Sequence, residues 1–277
     1  MPKSYEYLMI SHPSQYVTHV QMNRPDFKNA INRKMNEEIC DLFEDLSVDA
    51  NTRVIILSGH GKSFCAGIDL KESLNMVSGA VEGDDTARMA RRIREKFREN
   101  QKTYNVIAEC PKPIITAIHG QCIGAGMDLI ALSDIRYATS DTQFSMKDVD
   151  IAMTADPNTL SRLPRICGNE SWIRELVFTA RKFDAEEALQ HDLILKVYDT
   201  FEGLIKGAER LAVNMSERSP VALQSAKIFL EYGRDHTTED ALLFSAAWNQ
   251  SQLQTEDLQK AAQAAAADDA QPQYSKL

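Results

Sequence analysis

Two stretches of the chain repeat one arrangement: an apolar run, a loop of small residues and the start of a helix. The first is "VIILSGHGKSFCAGIDL", which begins at Val54, and the second is "IITAIHGQCIGAGMDL", which begins at Ile114. Short β-branched runs of this kind are typical of strands that are buried on both faces of a sheet. Strand and helix patterns alternate up to about Pro164, and this alternation predicts an α/β fold.

Helical patterns dominate the rest of the chain, and the last of them spans residues 238–259. A length of 277 residues allows one large domain with an appendage. We predict an α/β core over residues 1–200, a helical C-terminal section over 201–262 and a flexible tail over 263–277. The alanine-rich stretch "KAAQAAAADDAQPQ" is expected to extend a helix and to fray beyond Pro272, which would hold the last residues away from the body.

The charge and hydropathy of the chain argue against a nucleic-acid partner and against a membrane span. The formal net charge is −9, and no basic surface covers the whole domain, so a nucleic-acid partner is not expected. The basic stretch "ARMARRIREKFREN", which begins at Ala87, interleaves acids at helical spacing and is interpreted as a solvated helix face. No apolar run is long enough to span a bilayer.

The cysteines and histidines do not form a metal-binding pattern. The 5 cysteines are odd in number and widely spaced, and they include no CxxC pair, which indicates free thiols in a reducing compartment. The 6 histidines have no ligand spacing either. We therefore expect no metal site and no disulfide framework.

The chain ends in Ser275-Lys276-Leu277. This C-terminal tripeptide is a peroxisomal address that an import receptor reads. The opening "MPKSYEYLMI" has neither a signal-peptide core nor an Arg/Ser-rich transit character. The sequence therefore predicts the peroxisomal matrix as the location and the import receptor as a partner.

The two small-residue loops have three possible roles. If the loops converge, two backbone N–H groups can face one oxygen and form an oxyanion hole that stabilises an enolate. A phosphate cradle is a weaker alternative, because neither loop matches GxxxxGK[ST] or GxGxxG. Tight helix–strand packing is the third, and spacing alone favours it as much as the oxyanion hole.

Three aspartates, Asp128, Asp148 and Asp156, lie in otherwise apolar stretches that follow these loops. A buried carboxylate needs a partner, so their placement calls for an explanation. Considered alone, Asp128 is better explained as a residue that caps or pairs within its helix, and Asp156 before Pro157 as a cap or turn residue. Asp150 is a nearby alternative to Asp148 that we expect to point away from it.

Several segments, taken together and in order, resemble the enoyl-CoA hydratase/isomerase (crotonase) superfamily. They are "NRPDFKNAINRKM", "KSFCAGIDLKE", "GQCIGAGMDLIALSDIRYA" and "LPRICGNESWIRELVFTARKFDAEEALQHDLILKV", and the similarity extends over nearly the whole chain. The resemblance implies a spiral of ββα units, with a helical C-terminal section that packs into homotrimers, often paired as hexamers. It also implies acyl-CoA thioester substrates, with coenzyme A as part of the substrate and no further cofactor.

The resemblance places an oxyanion hole on the backbone N–H groups of Ile68 and Ala125. It implies further contacts to the substrate and its coenzyme A along both loops, at Lys28, Ala66, Gly67, Ile68, Asp69, Leu70, Gly124 and Ala125. For Lys28, a solvated lysine side chain is an equally good interpretation.

The three acids resemble those of the Δ3,5-Δ2,4-dienoyl-CoA isomerase branch, which acts in fatty-acid β-oxidation. Hydratases of the superfamily have two glutamates at the positions of Asp128 and Asp148, and an acid at Asp156 is characteristic of the isomerase branch. The resemblance implies that Asp148 is the base at C2, that Asp156 is the acid at C6, and that Asp128 orients the substrate or balances protons. Asp156 must then be protonated at rest, which an apolar setting beside a carboxylate favours.

One departure keeps other functions open. Aspartate replaces the glutamate expected at Asp148 and is one methylene shorter. An enoyl-CoA hydratase or Δ3-Δ2-enoyl-CoA isomerase is the first alternative, and a binding or scaffold protein with this fold but without catalysis is the second.

Overall fold

The computed structural model describes residues 3–72, 85–154, 157–267 and 272–277. The strands are β1 (Leu8–Ser14), β2 (Val17–Met22), β3 (Val54–Gly59), β4 (Ile114–Ile118), β5 (Gln121–Ile123), β6 (Ile135–Thr139), β7 (Gln143–Ser145), β8 (Phe183–Asp184) and β9 (Lys196–Tyr198). The helices are α1 (Arg33–Val48), α2 (Thr86–Glu109), α3 (Ala125–Ala131), α4 (Pro157–Cys167), α5 (Glu170–Thr179), α6 (Ala185–Gln190), α7 (Phe201–Ser216), α8 (Pro220–Asp235), α9 (Thr238–Gln252) and α10 (Glu256–Ala266). Two 3-10 helices span Pro25–Phe27 and Lys147–Ile151.

The strands form two sheets. The larger sheet has the order β1-β2-β3-β4-β6-β9, and all of its pairs except β1–β2 are parallel. The smaller sheet has the order β5-β7-β8, with β5 and β7 parallel. The α/β architecture and the helical C-terminal section agree with the sequence prediction.

The strand β3 lies in the centre of the molecule, with every residue buried. Its side chains alternate between two cores, as the period of two in a strand requires. Ile55 and Leu57 pack into the core that contains α1, whereas Val54 and Ile56 pack into a second core formed with α7. Each of these aliphatic side chains contributes about 1.5–3 kcal/mol by its burial. This two-sided burial explains why the first four residues of the strand are all aliphatic.

The C-terminal section differs in one place from the predicted pattern. The predicted helix over residues 238–259 is two helices, because α9 ends at Gln252 and α10 begins at Glu256. Thr255 caps α10, since its side chain accepts a hydrogen bond from the backbone N–H of Asp257. In the described part of the chain, no helix has both the length and the apolar character that a membrane span requires.

The last residues of the chain contact the body. Helix α10 continues to Ala266, so the predicted start of the tail at 263 lies within a helix. Nη2 of Arg53 donates to the carbonyl oxygens of Tyr274 and Ser275 over 2.8 and 3.1 Å. Nζ of Lys276 donates to Asn51 Oδ1 over 2.5 Å. The structure therefore departs from the expected free tail, since these hydrogen bonds hold it at the start of β3.

Candidate active site

Three chain segments leave the same edge of the small sheet side by side. Ile123 at the end of β5 pairs with Ser145 at the end of β7, and the two strands are parallel. Cys65 adds a third parallel segment through a bridge to Cys122, with hydrogen bonds from Cys65 N to Gln121 O and from Ile123 N to Cys65 O, both 2.9 Å. Because parallel segments in register end at the same edge, the residues that follow them converge.

The two small-residue loops are in contact, which is the condition on which the oxyanion-hole interpretation depends. Gly67 has a φ of +102° and Gly124 a φ of +49°, and residues other than glycine rarely adopt such positive values. A Cβ placed on Gly67 would lie 3.3 Å from the Ile123 carbonyl oxygen and 4.0 Å from the Ala125 nitrogen. A Cβ placed on Gly124 would lie 3.8 Å from Cα of Gly67. Backbone conformation favours glycine at both positions, and at Gly67 the closeness of the Ile123 carbonyl adds to this requirement.

The backbone N–H groups of Ile68 and Ala125 lie on these adjacent loops. Ile68 is held by its neighbours, since Ile31 N donates to the Gly67 carbonyl over 2.8 Å and Asp69 N donates to the Ile31 carbonyl over 2.9 Å. Ala125 is the first residue of α3, where an N–H has no partner within the helix. Neither N–H donates to an acceptor among the residues that the structure describes. Both donors are thus left for a ligand oxygen.

Lys28 lies against the first loop. It has left-handed backbone geometry, its side chain is exposed, and its carbonyl accepts a hydrogen bond from Ala66 N over 3.0 Å. Leu70, at the far end of the loop, is 46% exposed. Lys28 and Leu70 are therefore both exposed at this loop, for which the resemblance implies contacts to coenzyme A.

Asp69 forms an ion pair that the sequence did not reveal. Nη2 of Arg24 lies 2.8 Å from Asp69 Oδ2, and both side chains are nearly buried. The Arg24 guanidinium holds the pKa of the Asp69 carboxyl below its usual value. This carboxylate anchors the loop, which is a structural role beside the predicted substrate contact.

Asn29 is a second residue that the sequence analysis missed. It is fully buried, and its Nδ2 donates to the carbonyls of His60 and Ser63 over 2.9 and 2.8 Å. Its Oδ1 accepts from Arg24 N over 2.8 Å. Asn29 thereby joins the N-terminal segment to the loop that leads to Cys65. The only sign of this role in the sequence was the presence of an asparagine within the quoted segment "NRPDFKNAINRKM", since a buried amide needs hydrogen-bond partners.

Asp128 is buried, with 6% of its surface exposed, and lies in the first turn of α3. The hydroxyl of Thr159 on α4 donates a hydrogen bond to Asp128 Oδ1. A negative charge in the first turn is also favoured by the helix dipole. The sequence analysis gave no role to Thr159.

The thiols of Cys65 and Cys122 lie close to Asp128. Burial raises the pKa of the Cys65 thiol to about 12, and the negative charge of Asp128 adds to this effect. Burial also raises the pKa of Cys122 well above its ordinary value. Both thiols stay protonated at neutral pH and are poor nucleophiles or metal ligands. Among the described residues, no cluster of His, Cys, Asp and Glu has the arrangement of a metal site.

Asp148 lies in the 3-10 helix that follows β7, and it is half-buried. Its carbonyl accepts from Met153 N over 2.9 Å, which closes the turn. Asp150 is exposed and forms an ion pair of 2.5 Å with Lys147. Asp156, the predicted acid at C6, lies outside the described residues. The structure thus brings Ile68, Ala125, Asp128 and Asp148 to one edge of the small sheet.

The chain belongs to the enoyl-CoA hydratase/isomerase family, whose model matches residues 13–275. A mitochondrial Δ3,5-Δ2,4-dienoyl-CoA isomerase from Rattus norvegicus is 45% identical over 264 residues, or 95% of this chain and 80% of its own length. A peroxisomal Δ3,5-Δ2,4-dienoyl-CoA isomerase from Arabidopsis thaliana is 38% identical over 248 residues, or 90% of this chain and 89% of its own length.

Solved structures confirm the crotonase fold. The crystal structure of an enoyl-CoA hydratase from Bacillus anthracis superposes with a TM-score of 0.85 at 26% identity, covering 98% of this chain and 99% of that one. A putative enoyl-CoA hydratase from Streptomyces coelicolor gives a TM-score of 0.85 at 25% identity, covering 99% and 95%. The fold predicted from the four sequence segments is thereby confirmed.

Proposed function

We propose that this protein converts 3,5-dienoyl-CoA into 2,4-dienoyl-CoA in fatty-acid β-oxidation. The observation that carries the proposal is the pair of N–H groups of Ile68 and Ala125, on two touching loops beside Asp128 and Asp148. Relatives that are 45% and 38% identical bear the name of this isomerase. An oxyanion hole next to acids is the equipment that proton transfer beside a thioester carbonyl requires.

The proposed reaction consists of two proton transfers, which together shift two double bonds. Asp148 removes a proton from C2, and the electron pair of the C–H bond forms a dienolate whose charge extends to the thioester oxygen. The N–H groups of Ile68 and Ala125 donate to that oxygen and stabilise its charge. Asp156 then delivers a proton to C6, and the double bonds settle between C2 and C3 and between C4 and C5. Net charge is conserved in each step, and the proton that Asp148 has taken must return to Asp156, directly or through solvent, before the next turnover.

The proposal needs no metal or redox cofactor, because the substrate carries its own activating thioester. Asp128 is assigned the orientation of the substrate or the proton balance of the acid group. The contacts to the substrate and its coenzyme A that the resemblance implies, at Lys28, along Ala66 to Leu70, and at Gly124 and Ala125, belong to the same proposal.

The test is a side-by-side assay of the purified protein with a 3,5-dienoyl-CoA, followed by the appearance of the conjugated dienoyl-thioester absorbance, and with a 2-enoyl-CoA, followed by the loss of the enoyl-thioester absorbance. We expect isomerisation of the first substrate to exceed hydration of the second. Asp148→Asn should lower kcat by about 10²–10⁴-fold, which is typical for loss of a general base. Asp150→Asn is the matched control, since Asp150 is exposed and paired with Lys147, and it should retain activity.

Asp156→Asn separates the proposal from its alternatives. In an isomerase this substitution stops the reaction, whereas a hydratase that uses Asp128 and Asp148 would keep its activity. Hydration faster than isomerisation would favour the enoyl-CoA hydratase alternative. Binding of acyl-CoA without turnover of either substrate would favour the binding-protein alternative.

We also propose that the chain assembles into homotrimers, alone or in pairs. The support is a set of exposed leucines on the C-terminal helices, which soluble monomers rarely leave uncovered. Their exposed fractions are 73% for Leu230, 65% for Leu242, 66% for Leu243 and 50% for Leu258.

The proposed location is the peroxisomal matrix, with the import receptor as partner. The terminal Ser275-Lys276-Leu277 and the peroxisomal Arabidopsis relative support it, while the Rattus relative is mitochondrial. A fluorescent protein fused to the N-terminus should enter peroxisomes, and removal of the three residues should abolish entry. Mitochondrial accumulation of the intact fusion would contradict the proposal.

A further inference from the structure

We infer that Thr159 is a positioning residue of the isomerase, whose hydroxyl holds Asp128 in one orientation and in its charged form. This inference rests on the proposed function and deepens it. It concerns a contact between α3 and α4 that no sequence pattern revealed.

The contact is enclosed. Thr159 is 2% exposed and Asp128 is 6% exposed, and the hydroxyl of Thr159 donates to Asp128 Oδ1. Leu163, one turn further along α4, is fully buried in the main core and fixes the helix beside α3. A hydrogen bond from a neutral hydroxyl to a carboxylate is charge-assisted and strong in such surroundings.

The chemistry of threonine suits this role better than a charged donor would. A lysine or arginine would also stabilise the carboxylate, but its positive charge would stabilise the anion of Asp148 and weaken that residue as a base. A hydroxyl supplies a donor without a net charge. Threonine is also β-branched, so its side chain has few rotamers in a helix, and the donor direction is restricted.

Two buried thiols also lie near Asp128. The thiols of Cys65 and Cys122 lie on two neighbouring segments and remain neutral, because burial raises the pKa of each. Asp148 leaves the adjacent strand β7 and adds negative charge to the region, which disfavours ionisation of Asp128. The Thr159 hydroxyl acts against this effect.

The experiment compares two substitutions at one site. Thr159→Val keeps the shape and removes the hydroxyl, while Thr159→Ser keeps the hydroxyl and removes the methyl group. With 3,5-dienoyl-CoA, we expect Thr159→Val to lower kcat by about ten-fold at an almost unchanged KM, which is the effect of one lost hydrogen bond to a charge. Thr159→Ser should restore kcat to within about three-fold of wild type.

The pH profile distinguishes positioning from a structural role. Without the hydroxyl the carboxyl of Asp128 binds its proton more readily, so the acid limb of the kcat/KM profile should move to higher pH in Thr159→Val. Thr142→Val is the matched control, because Thr142 is equally buried and its hydroxyl donates to the Ile118 carbonyl over 3.3 Å. This control should lower stability and leave the profile unchanged.

Three results would overturn the inference. They are wild-type kcat in Thr159→Val, equal losses in Thr159→Val and Thr159→Ser, and an Asp128→Asn variant with full activity. A double-mutant cycle of Thr159→Val with Asp128→Asn, measured by denaturant unfolding, tests the contact without an assay. Coupling in this cycle without isomerase activity in wild type would show that the proposed function, and not the contact, is wrong.

Discussion

Gly67 and Gly124 occupy backbone conformations in which any side chain is strained, and Gly67 also faces the Ile123 carbonyl at close range. Geometry of this kind determines where the N–H of Ile68 points. A backbone shift of a few tenths of an ångström is enough to weaken a hydrogen bond to a developing oxyanion, because such bonds act at 2.7–3.1 Å. The backbone geometry at the two glycines is therefore constrained as strictly as the positions of the acidic side chains.

We predict that Gly67→Ala lowers kcat/KM by about 10²-fold, the effect of losing one oxyanion donor. Gly168→Ala is the matched control, because Gly168 has a φ of +63° but no atom within 4 Å of an added Cβ. The control should lose about 1 kcal/mol of stability from backbone strain and keep its activity. Steady-state kinetics and thermal unfolding of both variants test this prediction. A Gly67→Ala variant with wild-type kinetics would contradict it.

At the level of elements, His19 on β2 is the residue through which we expect pH to affect the stability of the large sheet. Its Nε2 and the Ser58 hydroxyl on β3 share a buried hydrogen bond of 2.8 Å. Burial lowers the pKa of His19 to about 4. Burial also lowers the pKa of His119, which follows β4.

We predict that the free energy of unfolding decreases as the pH falls from 6.5 to 4. The unfolded imidazole binds a proton near pH 6.5, whereas folded His19 resists protonation until about pH 4. Its contribution is complete above pH 6.5 and amounts to about 3 kcal/mol. His19→Gln should reduce the pH slope measured by denaturant unfolding, and an unchanged slope would contradict this explanation.

The sequence predicted the elements better than it predicted the contacts between them. Apolar runs and helical periods identified β3, β4 and the helical C-terminal section, because burial imposes those periods on neighbouring residues. Leu253–Thr255, which separate α9 from α10, include no glycine or proline. No helix-breaking residue therefore marked the end of α9 in the sequence. Asp148 is in a 3-10 helix that forms only where the chain turns after β7.

The candidate site was predicted in part. Glycines and acids that follow strands were visible as patterns, and the family resemblance assigned their roles. Arg24, Asn29 and Thr159 were missed, since each acts through a partner that is distant in sequence. Thr159 and Asp128, for example, are 31 residues apart. No local pattern encodes such pairs.

At the level of the whole molecule, the exposed leucines of α8 to α10 predict assembly. Leu242→Arg with Leu243→Arg should reduce the mass in light scattering from three or six chains of 31.1 kDa to one, because charges at a buried contact are costly. Val48→Arg is the control, since Val48 is 82% exposed at the end of α1, and it should leave the mass unchanged. A monomeric wild type would contradict the proposed trimer.

The backbone hydrogen bonds that pair Cys65 with Cys122 and β5 with β7 have a consequence for how proteins with this fold acquire different reactions. In the proposed mechanism, anion binding depends on main-chain atoms whose spacing is fixed by hydrogen bonds, whereas proton transfer depends on replaceable side chains that follow them. If this mechanism holds, substitution at Asp128 or Asp148 changes which proton moves and leaves the binding of the thioester oxygen intact. One frame can in this way serve several reactions through a few changes of acid.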